Sequence, residues 1–198
     1  MDKNLTKIAA FEYVLYKLNE WYKDNNGEKE NDLSILKAMK LLFFVSGVDT
    51  EKHLLSTFDN FQAWQYGHVE ADVYKEYSKV DGKLSYLEIN RNKTIFKEKI
   101  DKNSILGDSG IRENIDFCID KLKSINKNFI NYDAFRLVDL SHSYLSWDTY
   151  YNKWKEPYTK MDDNIILYEP KSPDCRERGI PDQTSTMVFS PGTALPRF

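Results

Sequence analysis

Three histidines, two cysteines and a scatter of carboxylates are the residues in this chain that could do chemistry. The histidines are His53, His68 and His142. A zinc site or a base–nucleophile pair needs such groups at ligand or hydrogen-bond spacing, for example i and i+4 on one helix. No two of the three are so spaced. His68 and His142 with a nearby carboxylate would have to converge through the fold to serve a metal-dependent hydrolase. The plainer expectation for each is a histidine satisfied by ordinary hydrogen bonds. A cysteine nucleophile needs a lowered pKa and a partner base. Cys118, in IDFCIDKL, lies on an apolar helical stripe, and Cys175 lies in a proline-rich tail. Neither setting activates a thiol. The carboxylates Glu70, Asp72 and Glu76 cluster near His68, and the first two suit the start of a helix, whose dipole favours negative charge. No phosphate-binding glycine loop and no nucleophile elbow is present. The pattern therefore predicts no catalytic residues, no metal and no cofactor.

A basic cluster, Arg91, Lys93, Lys97, Lys99 and Lys102, could meet an acidic partner or phosphates. Glu88, Glu98 and Asp101 interleave with it, and the whole chain carries a net charge of −3. General nucleic-acid binding, which wants a strongly basic face, is disfavoured. Two widely separated cysteines form no disulfide framework, which suggests a reducing, cytoplasmic setting. Charge interrupts the N-terminal segment, and the longest apolar run, LLFFV at 41–45, is too short to span a membrane.

Stepping from these groups to the elements that must hold them, helical periodicity dominates. Ile8, Phe11, Leu15, Leu18 and Tyr22 fall on one face of a first helix, with Asn4 or Thr6 as its cap. The polar stretch 23–31 reads as a loop. A second helix follows Asp32 as cap, with Leu33, Leu36, Met39 and Phe43 facing inward. Its second half is apolar nearly all round, so it should be central, and Gly47 should end it. A short helix is expected over 53–57. Val69, Val73 and Tyr77, spaced by four, predict that Gly67-His68 turns into a helix of about ten residues. The segments LSYLEI and KTIFKEKI alternate with period two and predict a small hairpin. Asp108 or Ser109 should cap a helix carrying Ile111, Ile115, Cys118, Leu122 and Ile125. Further helices are expected over 132–144 and from Ser146-Trp147 to Trp154. Five of the six prolines lie beyond residue 169, so 170–198 reads as an extended or disordered arm, with Met187 and Phe189 as an anchor. The predicted class is mainly α: a compact single-domain helical bundle over 1–169, with a small β-hairpin and an extended Pro-rich C-terminal arm over 170–198.

The segment FQAWQYGHVEADVY at 61–74 packs Phe61, Trp64, Tyr66 and Tyr74 around Gly67. Trp64 and Tyr66 are two apart and would point to different sides of a helix, so at least one ring should be only partly buried. This segment, with two others, resembles the SocA-like or Panacea-domain antitoxins. LKAMKLLFFVSG is similar to that family's L-x-K-L-L-Y-x-A-x-G helix, through Leu36, Lys40, Leu41, Leu42, Phe43 and Gly47. The 61–74 segment resembles A-W-x-Y-G-P-V followed by x-x-x-V-Y, through Ala63, Trp64, Tyr66, Gly67, Val69, Val73 and Tyr74. LVDLSHSYLSW resembles a late L-x-x-x-(S/T)-H with a following tryptophan, through Leu137 or Leu140, Ser141, His142 and Trp147. The chain departs from the pattern at His68, where proline commonly follows the glycine. His68 restores an N–H that proline lacks, so the turn should be braced differently.

The resemblance implies a mainly helical antitoxin, without catalytic activity, that neutralises a cognate protein toxin by direct binding. One branch of the family is similar to a proteolytic adaptor that delivers its toxin to a cellular protease. On this reading Trp64, Tyr66, Gly67, His68, Val69, Tyr74, His142 and Trp147 brace the domain or contact the toxin. Arg91, Lys93, Lys97, Lys99, Met187 and Phe189 are further candidate partner contacts, and the arm could also thread onto a second copy of the chain. Aromatic anchors in a desolvated patch are what tight protein interfaces use.

Overall fold

In the computed structural model, residues 3–77, 84–89, 92–97 and 102–175 are described. The first helix, α1 (Lys3–Asn26), buries Ile8, Phe11, Leu15 and Leu18 of the predicted stripe, while at its end Trp21 rather than Tyr22 is buried. Asn4 and Thr6 lie inside the helix rather than capping it. The helix also outlasts the expected loop boundary at Lys23. Its polar last turn is held by tertiary bonds: Asn25 Nδ2 donates to the Lys127 carbonyl at 2.8 Å, and Lys123 pairs with Asp24 at 2.7 Å. Gly27, at φ 68°, then ends it in the left-handed conformation.

The second helix, α2 (Ile35–Ser46), is the axis of the domain. Every residue from Lys37 to Ser46 is buried, as its all-round apolar sequence requires. Its cap is Ser34, which accepts from the Lys37 N–H at 3.3 Å. Asp32 lies two residues too early for that role and instead pairs with the Lys37 ammonium at 2.6 Å. Gly47 closes the helix by donating to the Phe43 carbonyl. Residues 53–57 form a single turn, not a helix, with Leu54 and Leu55 buried beneath it.

A β-hairpin follows where a helix entry was expected. Strands β1 (Phe61–Trp64) and β2 (Gly67–Glu70) pair antiparallel, with Ala63 opposite His68 and Trp64 opposite Gly67. Helix α3 (Ala71–Tyr77) starts only after them. Val69 is therefore a strand residue, and its four-residue spacing to Val73 spans a strand–helix junction. The predicted second hairpin is present as β3 (Leu87–Ile89) and β4 (Thr94–Phe96). Beyond a short α4 (Lys102–Ile105), α5 (Ser109–Ile125) is capped by Asp108 and buries Ile115, Cys118 and Leu122. A 3₁₀ turn (Phe129–Asn131) leads to α6 (Ala134–His142), which is shorter than the predicted 132–144 because Asp133 caps it. The single turn α7 (Leu145–Trp147) continues as a π-helix (Asp148–Lys153). Two short helices lacked a sequence expectation, α4 and α8 (Asp163–Tyr168). The described part of the proline-rich region is not detached from the body: Cys175 is buried in a 3₁₀ turn (Pro173–Cys175).

The architecture is thus mainly helical with two small antiparallel hairpins. Helix α2 packs against β2, α5 and α6, while α1 lies across α3, α4 and α5. No helix among the described residues is long and apolar enough to cross a membrane.

Candidate functional site

The first hairpin is where the three sequence blocks meet. Gly67 follows the Gln65-Tyr66 turn at φ 89°, a value that L side chains rarely adopt. Helices α2 and α6 close on it from two sides. A Cβ at this position would lie 2.4 Å from Ser141 Oγ and 3.0 Å from Lys40 Nζ. Both the backbone angle and the lack of space therefore require glycine here.

His68, next in the strand, has no exposed surface. Its ring stacks on Phe43 of α2 at 3.6 Å between centroids. Nδ1 lies 2.8 Å from Ser141 Oγ and Nε2 lies 2.7 Å from Ser146 Oγ. Its backbone N–H, the donor a proline would lack, reaches Ser141 Oγ at 3.1 Å. Ser146 in turn donates from its hydroxyl and its backbone N–H to the two oxygens of Glu169, at 2.8 and 2.7 Å. With a neutral ring and an ionised Glu169, counting donors fixes the tautomer. The Ser146 proton points at Glu169, so Ser146 accepts from His68 Nε2–H, and Nδ1 accepts from Ser141. The imidazole is neutral, and burial holds its pKa well below the ordinary histidine value, with the Lys40 charge adding to the effect. Burial also pushes the Glu169 carboxyl up, to about 7. Lys40 is buried too and donates to the His68 carbonyl, and burial lowers its pKa well below the usual lysine value. This closed polar chain ties α2, β2, α6, α7 and the end of α8 together. Sequence reasoning named His68, Ser141 and Lys40. It missed Ser146 and Glu169, since a lone serine and a lone glutamate carry no spacing signal.

This arrangement leaves His68 without a free ring nitrogen for an ion. His142 sits apart on α6, stacked on Trp147 at 3.9 Å, with Nε2 3.2 Å from the Gln65 carbonyl. The two histidines do not form a joint ligand set. Among the described residues, the convergent group of metal-capable side chains is Asp59, Glu70 and Asp72. Lys7 already supplies the cation there, with its ammonium 2.7–2.8 Å from all three carboxylates. Burial opposes that charge, but the carboxylates outweigh it and hold the Lys7 pKa above its ordinary value. Both cysteines are buried, and burial pushes each thiol up to about 12, far from the reactive range.

The rings on the outer side of the hairpin behave differently. Trp64 is half-buried and meets Tyr74 at 4.9 Å and Tyr158 at 5.4 Å. Its carbonyl accepts from the Trp147 indole at 2.8 Å, and Trp147 stacks on Tyr151 at 4.8 Å. Tyr66, at the hairpin tip, is 52% exposed, and Trp154 and Tyr158 are 44% and 59% exposed. Neither Trp64 nor Tyr66 is fully buried, and they differ because Trp64 ends β1 while Tyr66 stands in the turn. Among the described residues, the non-glycine positions with left-handed φ are Lys155 (58°) and Tyr158 (66°), both in the loop beside these rings. Each costs about 1–2 kcal/mol. Tyr158 is held so by its N–H bond to the Ala63 carbonyl at 3.2 Å.

The basic cluster is only partly described. Lys93 pairs with Glu30 at 2.5 Å, and Lys97 donates to the Ser85 carbonyl at 2.5 Å. Arg91, Lys99, Met187 and Phe189 lie outside the described residues, as does the side chain of Lys102.

Fold and site define a mainly helical domain whose motif residues lock one another in place and whose hairpin shows aromatic rings to solvent. The chain belongs to the antitoxin SocA-like, Panacea-domain family, whose model matches residues 38–148, more than half of its length. That span takes in nearly all of the three blocks that meet at Gly67, from Lys40 to Trp147. No curated protein and no solved structure matches the chain.

Proposed function

We propose that this chain is the antitoxin of a toxin–antitoxin pair and neutralises a cognate protein toxin by direct, stoichiometric binding, in the cytoplasm and without catalysis. Family membership supports an antitoxin role in general. The observation that carries the finer reading is the division of labour at the hairpin. Its polar groups, from Lys40 through His68 to Glu169, are buried and satisfied by one another, while Tyr66 and Tyr158 lie more than half exposed. A site built to react would present the polar groups, whereas a site built to bind presents rings.

Co-expression with the product of the neighbouring gene tests the proposal. The neighbour should arrest growth alone, be harmless beside this chain, and co-purify with it at fixed stoichiometry. A neighbour that is harmless alone, or one that stays toxic with no isolable complex, refutes it. Toxin abundance separates capture from delivery to a protease: capture leaves the toxin level unchanged, and delivery lowers it.

A further inference from the structure

Residues 152–160, the end of the π-helix and the loop beyond it, lie against the first hairpin and are exposed throughout. They include Trp154 and Tyr158 and, with them, Lys153, Lys155, Lys160 and one acid, Glu156. Lys153 is paired with Asp148 at 2.9 Å, while Lys155 and Lys160 are exposed, the latter bridged to Gln62 of β1. The loop is therefore basic on a chain whose net charge is −3. Its shape is built with strain: the left-handed residues Lys155 and Tyr158 bracket Glu156 and Pro157 and set the Tyr158 ring against Trp64 without burying it. Strained non-glycine backbone held by surrounding bonds gathers at ligand clamps more than at inert surface. Segment 158–161 also covers the free edge of β1, through Tyr158 N–H to Ala63 and Met161 N–H to the Phe61 carbonyl. A partner therefore meets side chains here, not an open strand edge.

We infer that the shelf formed by Trp64, Tyr66, Trp154 and Tyr158, rimmed by Lys155 and Lys160, is the surface that grips the partner protein, and that it takes an acidic segment bearing an apolar anchor. This rests on the antitoxin reading above. Rings supply desolvated contact area at low entropic cost, and the lysines select for negative charge and speed encounter.

The test uses the full chain and the neighbouring gene product. Affinity is measured for wild type, Tyr158→Ala, Trp154→Ala, the pair Lys155→Glu/Lys160→Glu, and two control variants at exposed rings elsewhere, Phe117→Ala and Phe135→Ala. The shelf variants should bind about tenfold or more weakly, and the controls within about twofold of wild type. The charge-reversed pair should also lose the weakening by salt that wild type shows. Thermal melting checks folding. Should Tyr158→Ala unfold, Lys155→Glu/Lys160→Glu decides, since both side chains are exposed. A wild-type complex that forms normally while the shelf variants bind as tightly as the controls overturns the shelf and leaves the antitoxin reading standing. Failure of the wild-type chain to bind or protect overturns the antitoxin reading and the shelf with it.

Discussion

Replacing Gly67 by alanine should be among the most damaging single-methyl additions in this fold. The new Cβ would sit 2.4 Å from Ser141 Oγ and 2.9 Å from Ser141 Cβ. Relieving such overlap in a packed interior costs about 1–3 kcal/mol. Holding an L residue at left-handed φ adds about 1–2 kcal/mol. The sum, about 2–5 kcal/mol, corresponds to a fall in Tm of about 4–20 °C for a chain of this size. Ser141→Gly would remove both close atoms, though alone it strips His68 of two hydrogen bonds and places glycine inside α6. The double variant should therefore be more stable than the sum of the single losses by about 1–3 kcal/mol, with the backbone strain left as residue. Thermal and urea unfolding of wild type, both singles and the double, followed by circular dichroism, gives all four corners. Melting of Gly67→Ala within about 1 °C of wild type, or strict additivity of the two changes, would refute the claim that α6 clasps the hairpin at this point.

Glu169 makes stability depend on pH. Its carboxyl is raised by burial from an ordinary 4.5 to about 7, so the fold prefers it protonated. That contribution is fully present below about pH 4.5 and is lost as pH rises through about 7, an interval worth about 3 kcal/mol. Buried His68 acts oppositely at low pH, losing stability as pH falls below its ordinary 6.5. The readout is therefore the difference between Glu169→Gln and wild type, which should shift in favour of the variant between pH 5 and pH 8; a constant difference in unfolding free energy would count against the buried carboxyl. His68→Ala should cost about 3–5 kcal/mol in urea unfolding, because it opens a cavity against Phe43 and leaves the Ser141 and Ser146 hydroxyls without a ring partner. A loss under about 1 kcal/mol would mean that the ring is not the hub of the chain. Lys7→Met should cost about 3–5 kcal/mol near neutral pH by leaving three carboxylates together. Asp59, held down to about 2 against burial by Lys3 and Lys7, should then titrate upward by NMR; an unmoved Asp59 would show that Lys7 is not its main partner.

Much of the helical frame was legible in the sequence because its signals are local. The α1 stripe, the all-round apolar α2 and the Asp108-capped α5 each declare themselves within a few turns, and the alternation in LSYLEI and KTIFKEKI declared the second hairpin. The three blocks around Lys40, Gly67 and Ser141 also marked the family and the neighbourhood of the site. Tertiary structure decided the rest. WQYG lacks the Asn-Gly or Asp-Gly turn signature, so β1 and β2 exist because α2 and α6 pack on β2, not because 61–70 announces a hairpin. Ser146 and Glu169 became partners of His68 only when α8 returned to α7, and nothing local marks a carboxylate for burial. Likewise Lys7, Lys37 and Lys40 look in sequence like surface lysines. Burial and pairing depend on chain segments dozens of residues away, whereas periodicity and capping depend on neighbours within a turn. The sequence alone therefore determined the long helices α1, α2 and α5 and which glycine matters. Only the assembled fold determined which polar groups are locked inside and which rings are left facing solvent.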